Sequence, residues 1–151
     1  MSKITTVYDT LLTVIGTIFP EKTRVFDAYS ILDNPEHVLR DGYGLRKTGT
    51  NFEQAEYCRF TDTHGFEVVL TREVVRGEDQ LNPIDTQVKS LLEDAFELRE
   101  RVYRYDELGI TTDITQVQLG DVSGVDRLNV GNGRFITITV SFTVQVSENF
   151  N

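Results

Sequence analysis

From Ile136 to Val146 apolar and polar residues alternate without error. Ile136, Ile138, Val140, Phe142, Val144 and Val146 are separated by Thr137, Thr139, Ser141, Thr143 and Gln145. Period-two alternation in β-branched and aromatic residues predicts a strand with one buried face. At about 3.3 Å per residue, residues 134–147 extend roughly 45 Å. A compact domain of this length is only about 38 Å across. The strand therefore has to bend, or reach past its own fold to another chain. Its second face is neutral and hydroxyl-rich, whereas exposed sheet surfaces are commonly guarded by charge. Two readings follow: a face that meets a neighbouring subunit, or a Thr-rich solvated face.

Helical periods appear twice. Ile4, Val7, Tyr8, Leu11, Leu12, Ile15, Ile18 and Phe19 recur at three- and four-residue steps, with Ser2 placed to cap and Pro20 to stop the run. Thr5, Thr6, Thr10 and Thr13 lower its intrinsic propensity, so packing has to hold this helix. The second helix opens at Asn82-Pro83-Ile84-Asp85 and carries an apolar stripe through Val88, Leu91, Leu92, Ala95, Leu98 and Val102, with Gly109 at its exit. Its charged faces read as solvated, with acid–base pairs three or four apart.

Between the helices the pattern is less regular. Arg24 to Ile31 has the makings of a short strand. Residues 33–55 carry Asn34-Pro35, Gly42, Gly44 and Gly49 and show little period, which predicts an arm or long loop. Gly42-Tyr43-Gly44-Leu45 reads as one large aromatic between flexible residues, suited to contact with a partner. A hairpin is expected next, with Tyr57–Asp62 leading into a turn at Thr63-His64-Gly65 and Phe66–Val75 returning. Phe66, Val68, Leu70 and Val74 form its apolar face. Asp113 to Gly120 reads as a further strand, and Gly120 to Gly133 as turns. Helix, strands, hairpin, helix, strand and long strand make an α+β fold, with an antiparallel or mixed sheet and two main helices on one face. The 151 residues form a single domain in this reading.

Composition is that of an ordinary globular protein, 39% hydrophobic and 26% charged, which argues against wholesale disorder. No apolar run approaches a membrane span, and the N-terminus carries no basic-then-apolar leader pattern. Synthesis in a reducing cytoplasm is expected. Net charge is −9, with acids spread along the chain, which disfavours a grip on nucleic acid and leaves room for a surface that nucleic acid passes. Catalytic signals are thin. The lone Cys58 reads as a small buried hydrophobe in a strand, and it excludes an internal disulfide. His64 reads as an exposed turn residue. No spacing of His37, His64 and the acids resembles a metal site, and no glycine pattern matches a nucleotide loop. No cofactor is expected. The alternative to an interaction protein is a small ligand-binding or catalytic domain, for which Cys58 and His64 are the available nucleophile and base.

Taken in order, the helix Ile4–Phe19, the excursion through Gly42-Tyr43-Gly44-Leu45, the hairpin 57–75, the Asn82-Pro83 helix and the strand Phe135–Val146 resemble the tail terminator, or tail completion, proteins of tailed bacteriophages. The resemblance spans nearly the whole chain and lies in architecture rather than a motif. It implies a small α+β virion protein that forms a ring, typically a hexamer, at the head-proximal end of the tail. Such a ring ends tail-tube polymerisation and joins the tube to the head–tail connector, and genome DNA passes through its lumen. Other neck proteins, such as a head–tail connector, are the nearest alternatives. Subunit or partner contacts are expected at Gly42, Tyr43, Gly44, Leu45, Thr137, Thr139, Ser141 and Thr143.

Overall fold

The computed structural model describes residues 3–74, 83–104 and 114–149. The expected caps Ser2 and Asn82, the hairpin end at Val75, the helix exit at Gly109 and the strand start at Asp113 lie outside the described residues. The fold is α+β, as expected. A mixed six-stranded sheet comprises β1 (Thr23–Arg24), β2 (Asp41–Glu56), β3 (Arg59–Glu73), β4 (Ile114–Val122), β5 (Asp126–Val130) and β6 (Gly133–Asn149). Its order is β1-β2-β3-β6-β4, with β5 also on β6. β1 runs parallel to β2, and every other pairing is antiparallel.

β6 is the spine of this sheet. It holds β3 in unbroken register from Arg59↔Asn149 to Glu73↔Phe135. Its other edge serves two strands in turn, β5 along Gly133–Thr137 and β4 along Val140–Val146. Ile136, Ile138, Val140, Phe142, Val144 and Val146 are all buried. They meet Phe66, Val68 and Leu70 of β3, and Phe66 stacks on Phe142 at 5.8 Å between ring centroids. This face is covered by α1 (Ile4–Ile18), through Val7, Leu11, Val14, Ile15 and Ile18, and by α3 (Pro83–Tyr103), through Leu91, Ala95, Leu98 and Val102. The stripe spacing that makes each helix amphipathic is the stripe that is buried.

α1 has no side-chain N-cap, and the far end of β6 secures it instead. The Glu148 carboxylate accepts the Lys3 amide at 2.9 Å, and Lys3 Nζ donates to the Ser147 carbonyl at 2.9 Å. A carboxylate at a helix N-terminus satisfies an orphan amide and suits the helix dipole, which accounts for a buried acid at position 148. The Thr10, Thr13 and Thr17 hydroxyls bond back to carbonyls four residues earlier, the competition with helix geometry that makes threonine a weak helix former.

Three expectations need correction. The stretch 33–55 is not an arm or loop. After a 3-10 turn (Ile31–Asp33) and the short helix α2 (Glu36–Leu39), residues 41–56 form β2, paired with β3 along most of its length. The hairpin does not turn at Thr63-His64-Gly65, because β3 runs straight through those residues. It turns at Tyr57-Cys58, where Cys58 takes φ of +62°. Cys58 is thus a half-buried turn residue, and His64 is buried in the middle of a strand. The segment taken for turns before β6 contains β5.

Residues 25–39 cross the sheet face opposite the helices. Asn34 is 4% exposed and wires this segment to itself. Its Oδ1 accepts the Phe26 and Asp27 amides, and its Nδ2 donates to the Asp27 carbonyl at 2.9 Å. Val25, Val38 and Leu39 then close over Phe135 as a second small core. Gly42 and Gly44 lie directly beneath. A Cβ at Gly44 would stand 2.9 Å from Ala28 Cβ, and one at Gly42 would stand 2.6 Å from the Val38 carbonyl oxygen. Neither glycine has a positive φ. They are glycines because another segment lies against their backbone.

Candidate subunit interface

Past the cover formed by residues 25–39, the sheet presents a second face. Cross-strand register brings Thr139, Ser141, Thr143 and Gln145 of β6 alongside Val69, Glu67, Gly65 and Thr63 of β3. On the other side Gln118 of β4 pairs Thr143, and Gln116 pairs Gln145. Glu67 is answered by Arg46 of β2, Nε to Oε2 2.6 Å. The remainder from Gly65 across β6 to β4 is neutral. A depression of about 220 Å³ opens on this face, bordered by Thr48, Gly65, Glu67, Gln118, Ser141 and Thr143. Among the described residues no element crosses it. Thr143 Oγ1 is buried in its floor with no hydrogen-bond partner among the described residues. A buried hydroxyl without a partner costs free energy, about 1–3 kcal/mol.

The eight expected contact residues divide into two groups. Thr137, Thr139, Ser141 and Thr143 share this half-buried face. Gly42, Tyr43, Gly44 and Leu45 do not join them. Leu45 is 3% exposed and belongs to the main core. Tyr43 packs against that core, its hydroxyl 3.2 Å from where a Cβ on Gly16 would stand. The two glycines seat residues 25–39. This motif is internal packing.

Large apolar side chains that the sequence reading did not single out are exposed elsewhere. Phe26, Tyr29 and Leu32 project from the 25–39 cover, and Phe52 and Tyr57 lie toward the hairpin tip. Phe52 packs on Phe60 at 5.3 Å and is still 64% exposed.

The thiol–imidazole pair is not assembled. With the turn at Cys58, His64 lies five residues along β3 from Arg59, roughly 16 Å at about 3.3 Å per residue, so thiol and imidazole do not meet. His64 belongs to a different network. Lys47 Nζ donates to Thr50 Oγ1 at 2.8 Å, and Thr50 Oγ1 lies 3.0 Å from His64 Nδ1. An ammonium only donates, so the Thr50 hydroxyl accepts from Lys47, and the direction of its bond to Nδ1 follows the imidazole tautomer. Nε2 stands 4.0 Å from Asp62 Oδ2, beyond hydrogen-bond reach, and has no hydrogen-bond partner among the described residues. Burial, followed by the Lys47 charge, pushes the imidazole below its ordinary value of 6.5 against the pull of Asp62 and Glu148. Burial also lowers Lys47. The group ties the β2 irregularity at Lys47–Thr50 to β3.

A second charged cluster joins the end of α1 to the sheet and α3. The Lys22 side chain is 5% exposed; it lies 2.9 Å from Asp94 Oδ2 and pairs with Asp41, which Arg72 also approaches at 3.7 Å. Among the described residues no cluster of His, Cys, Asp and Glu has the arrangement of a metal site. No helix among the described residues is long and apolar enough to cross a membrane. The sequence matches no protein-family model and no curated protein.

Proposed function

We propose that this chain is the subunit of a ring in the neck of a tailed phage. In this reading it is the tail terminator that ends tube polymerisation and joins the tube to the head–tail connector. The observation that carries it is the neutral Thr139–Gln145 face of β6. It lies at the centre of the sheet, is backed by the main core, and holds a buried hydroxyl that no described residue of its own subunit pairs. Such a surface is built to be covered by protein. The order of elements supports the phage assignment through the architectural resemblance, and a net charge of −9 suits a channel that must release DNA rather than hold it.

The subunits are proposed to close as a hexamer, in the virion, after synthesis in the host cytoplasm. A connector ring elsewhere in the neck would use the same face; arrest of tube growth in vitro separates the two. The direct test is size exclusion with light scattering, followed by negative-stain imaging, with and without the tail-tube protein. Rings of fixed size that cap tubes are expected. Protein that stays monomeric at high concentration, and beside tubes, overturns the reading.

A further inference from the structure

The sheet ends in two unlike edges. On the β2 side, residues 23–29 run along the strand as far as Lys47. β1 pairs Gly42 and Tyr43, the Arg46 guanidinium reaches the Ala28 carbonyl, and the Tyr29 hydroxyl takes the Lys47 amide at 2.9 Å. That edge is sealed. Beyond it the regular stretch Thr50–Gln54 pairs β3 on one side, and no described residue pairs its other side. On the far side of the sheet β4 pairs β6, and no described strand pairs its outer edge. Its regular stretch, Gln116–Leu119, lies between two register shifts and contains no charge and no proline. Natural edge strands are ordinarily guarded by lysine, proline or a covering segment. This one has bulges at its ends and nothing between them.

We propose that the open edge of β2 in one copy pairs with the open edge of β4 in the next, so that the sheets join edge to edge. This inference rests on the ring reading and adds to it a contact at the sheet edges, separate from the one that covers the face of β6. Three features select a second copy as the occupant. First, β2 runs parallel to β6 and β4 runs antiparallel to it. Copies placed side by side therefore meet in an antiparallel ladder that continues the alternation within each sheet. Second, the regular stretches are of similar length, Thr50–Gln54 against Gln116–Leu119. Third, they lie nearly level, opposite Val144–Glu148 and Phe142–Gln145 of β6.

The stagger between them is about 8 Å, which tilted strands absorb when a sheet closes on itself. Because the two edges differ, the contact is head-to-tail and generates a ring rather than a two-fold dimer. Asn51 and Glu53 share the outer face with Gln116 and Gln118 through their register with Thr63, Thr61, Gln145 and Thr143. The polar outer face, which carries Glu53 at this edge, is thereby continued across the joint.

The test uses the full chain with Cys58→Ser as background, since Cys58 is the sole cysteine. Asn51→Cys and Gln118→Cys proteins are mixed and treated with a short bismaleimide at a concentration where light scattering shows oligomers. A mixed covalent dimer is expected, with neither protein linking to itself. A chain bearing both cysteines should give a ladder of linked subunits that stops at the ring size. In a second arm, Gln118→Lys should abolish the oligomer while leaving the urea midpoint unchanged. Oligomers that form normally, link only cysteine to like cysteine or not at all, and tolerate Gln118→Lys overturn the edge joint and leave the ring reading standing. Absence of oligomers alone and on tail tubes overturns both.

Discussion

Replacing Gly44 with alanine separates two meanings of a glycine. If Gly44 lends flexibility to an arm, Gly44→Ala should stabilise the fold by about 0.4–1 kcal/mol, the unfolded-chain entropy removed. The structure gives the opposite sign. The new methyl would stand 2.9 Å from Ala28 Cβ and 3.2 Å from Val25 Cβ. Neither contact is the far end of a flexible side chain, so the 25–39 cover has to move. Overpacking of this kind costs about 1–3 kcal/mol. With the entropy gain subtracted, a net loss of about 1–2 kcal/mol is expected, a large part of a typical 5–15 kcal/mol stability.

Gly42→Ala should lose at least as much, since its neighbours are the Val38 carbonyl at 2.6 Å and Thr71 Oγ1 at 2.7 Å. Gly49, with nothing within 4 Å of a built Cβ, is the control and should gain about 0.4–1 kcal/mol. Urea unfolding followed by circular dichroism measures all three. Adding Ala28→Gly to Gly44→Ala should recover part of the loss, because the two sites touch. Gly44→Ala as stable as Gly49→Ala would refute the packing account.

Other substitutions probe the rest of the fold. Val140, 1% exposed and paired with Val68 and Val122, should not tolerate aspartate. Val140→Asp is expected to cost about 4 kcal/mol or more, seen as loss of a cooperative thermal transition. His64 is held below its ordinary 6.5 by burial. As pH falls through about 6.5, the unfolded chain takes a proton that the native imidazole refuses, so stability declines until the native imidazole protonates as well. His64→Gln should remove that decline in urea midpoints measured at about pH 7.5 and 5.5; an unchanged pH dependence would contradict the burial account. Lys22→Met strips the cation from Asp41 and Asp94, which are themselves 39% and 22% exposed. The expected loss lies between the ~1 kcal/mol of a surface pair and the ~3–5 of a buried one, readable by urea unfolding.

Periodicity made the main elements legible. The stripe of α1 and the alternation of β6 each state which side chains are buried, and those side chains form the core. The hairpin turn was not legible, because Tyr57-Cys58 contains no residue that favours a left-handed backbone, while Thr63-His64-Gly65 looks like a turn and is strand. Gly42 and Gly44 misled for a related reason: a glycine that admits a neighbouring segment reads in sequence like one that allows a bend. β5 was hidden among glycines, with only Leu128 and Val130 as apolar members. Which strands form the sheet edges follows from strand order. No local pattern carries that order, so the Gln116–Leu119 edge was out of reach of the sequence.

The central claim is that the hydroxyl face of β6 is covered by another subunit. A single cysteine at Ser141, in the Cys58→Ser background, reports on it through the rate of alkylation. The account predicts ready labelling of dilute monomer and strong protection once rings form. Equal labelling rates in monomer and ring would contradict it.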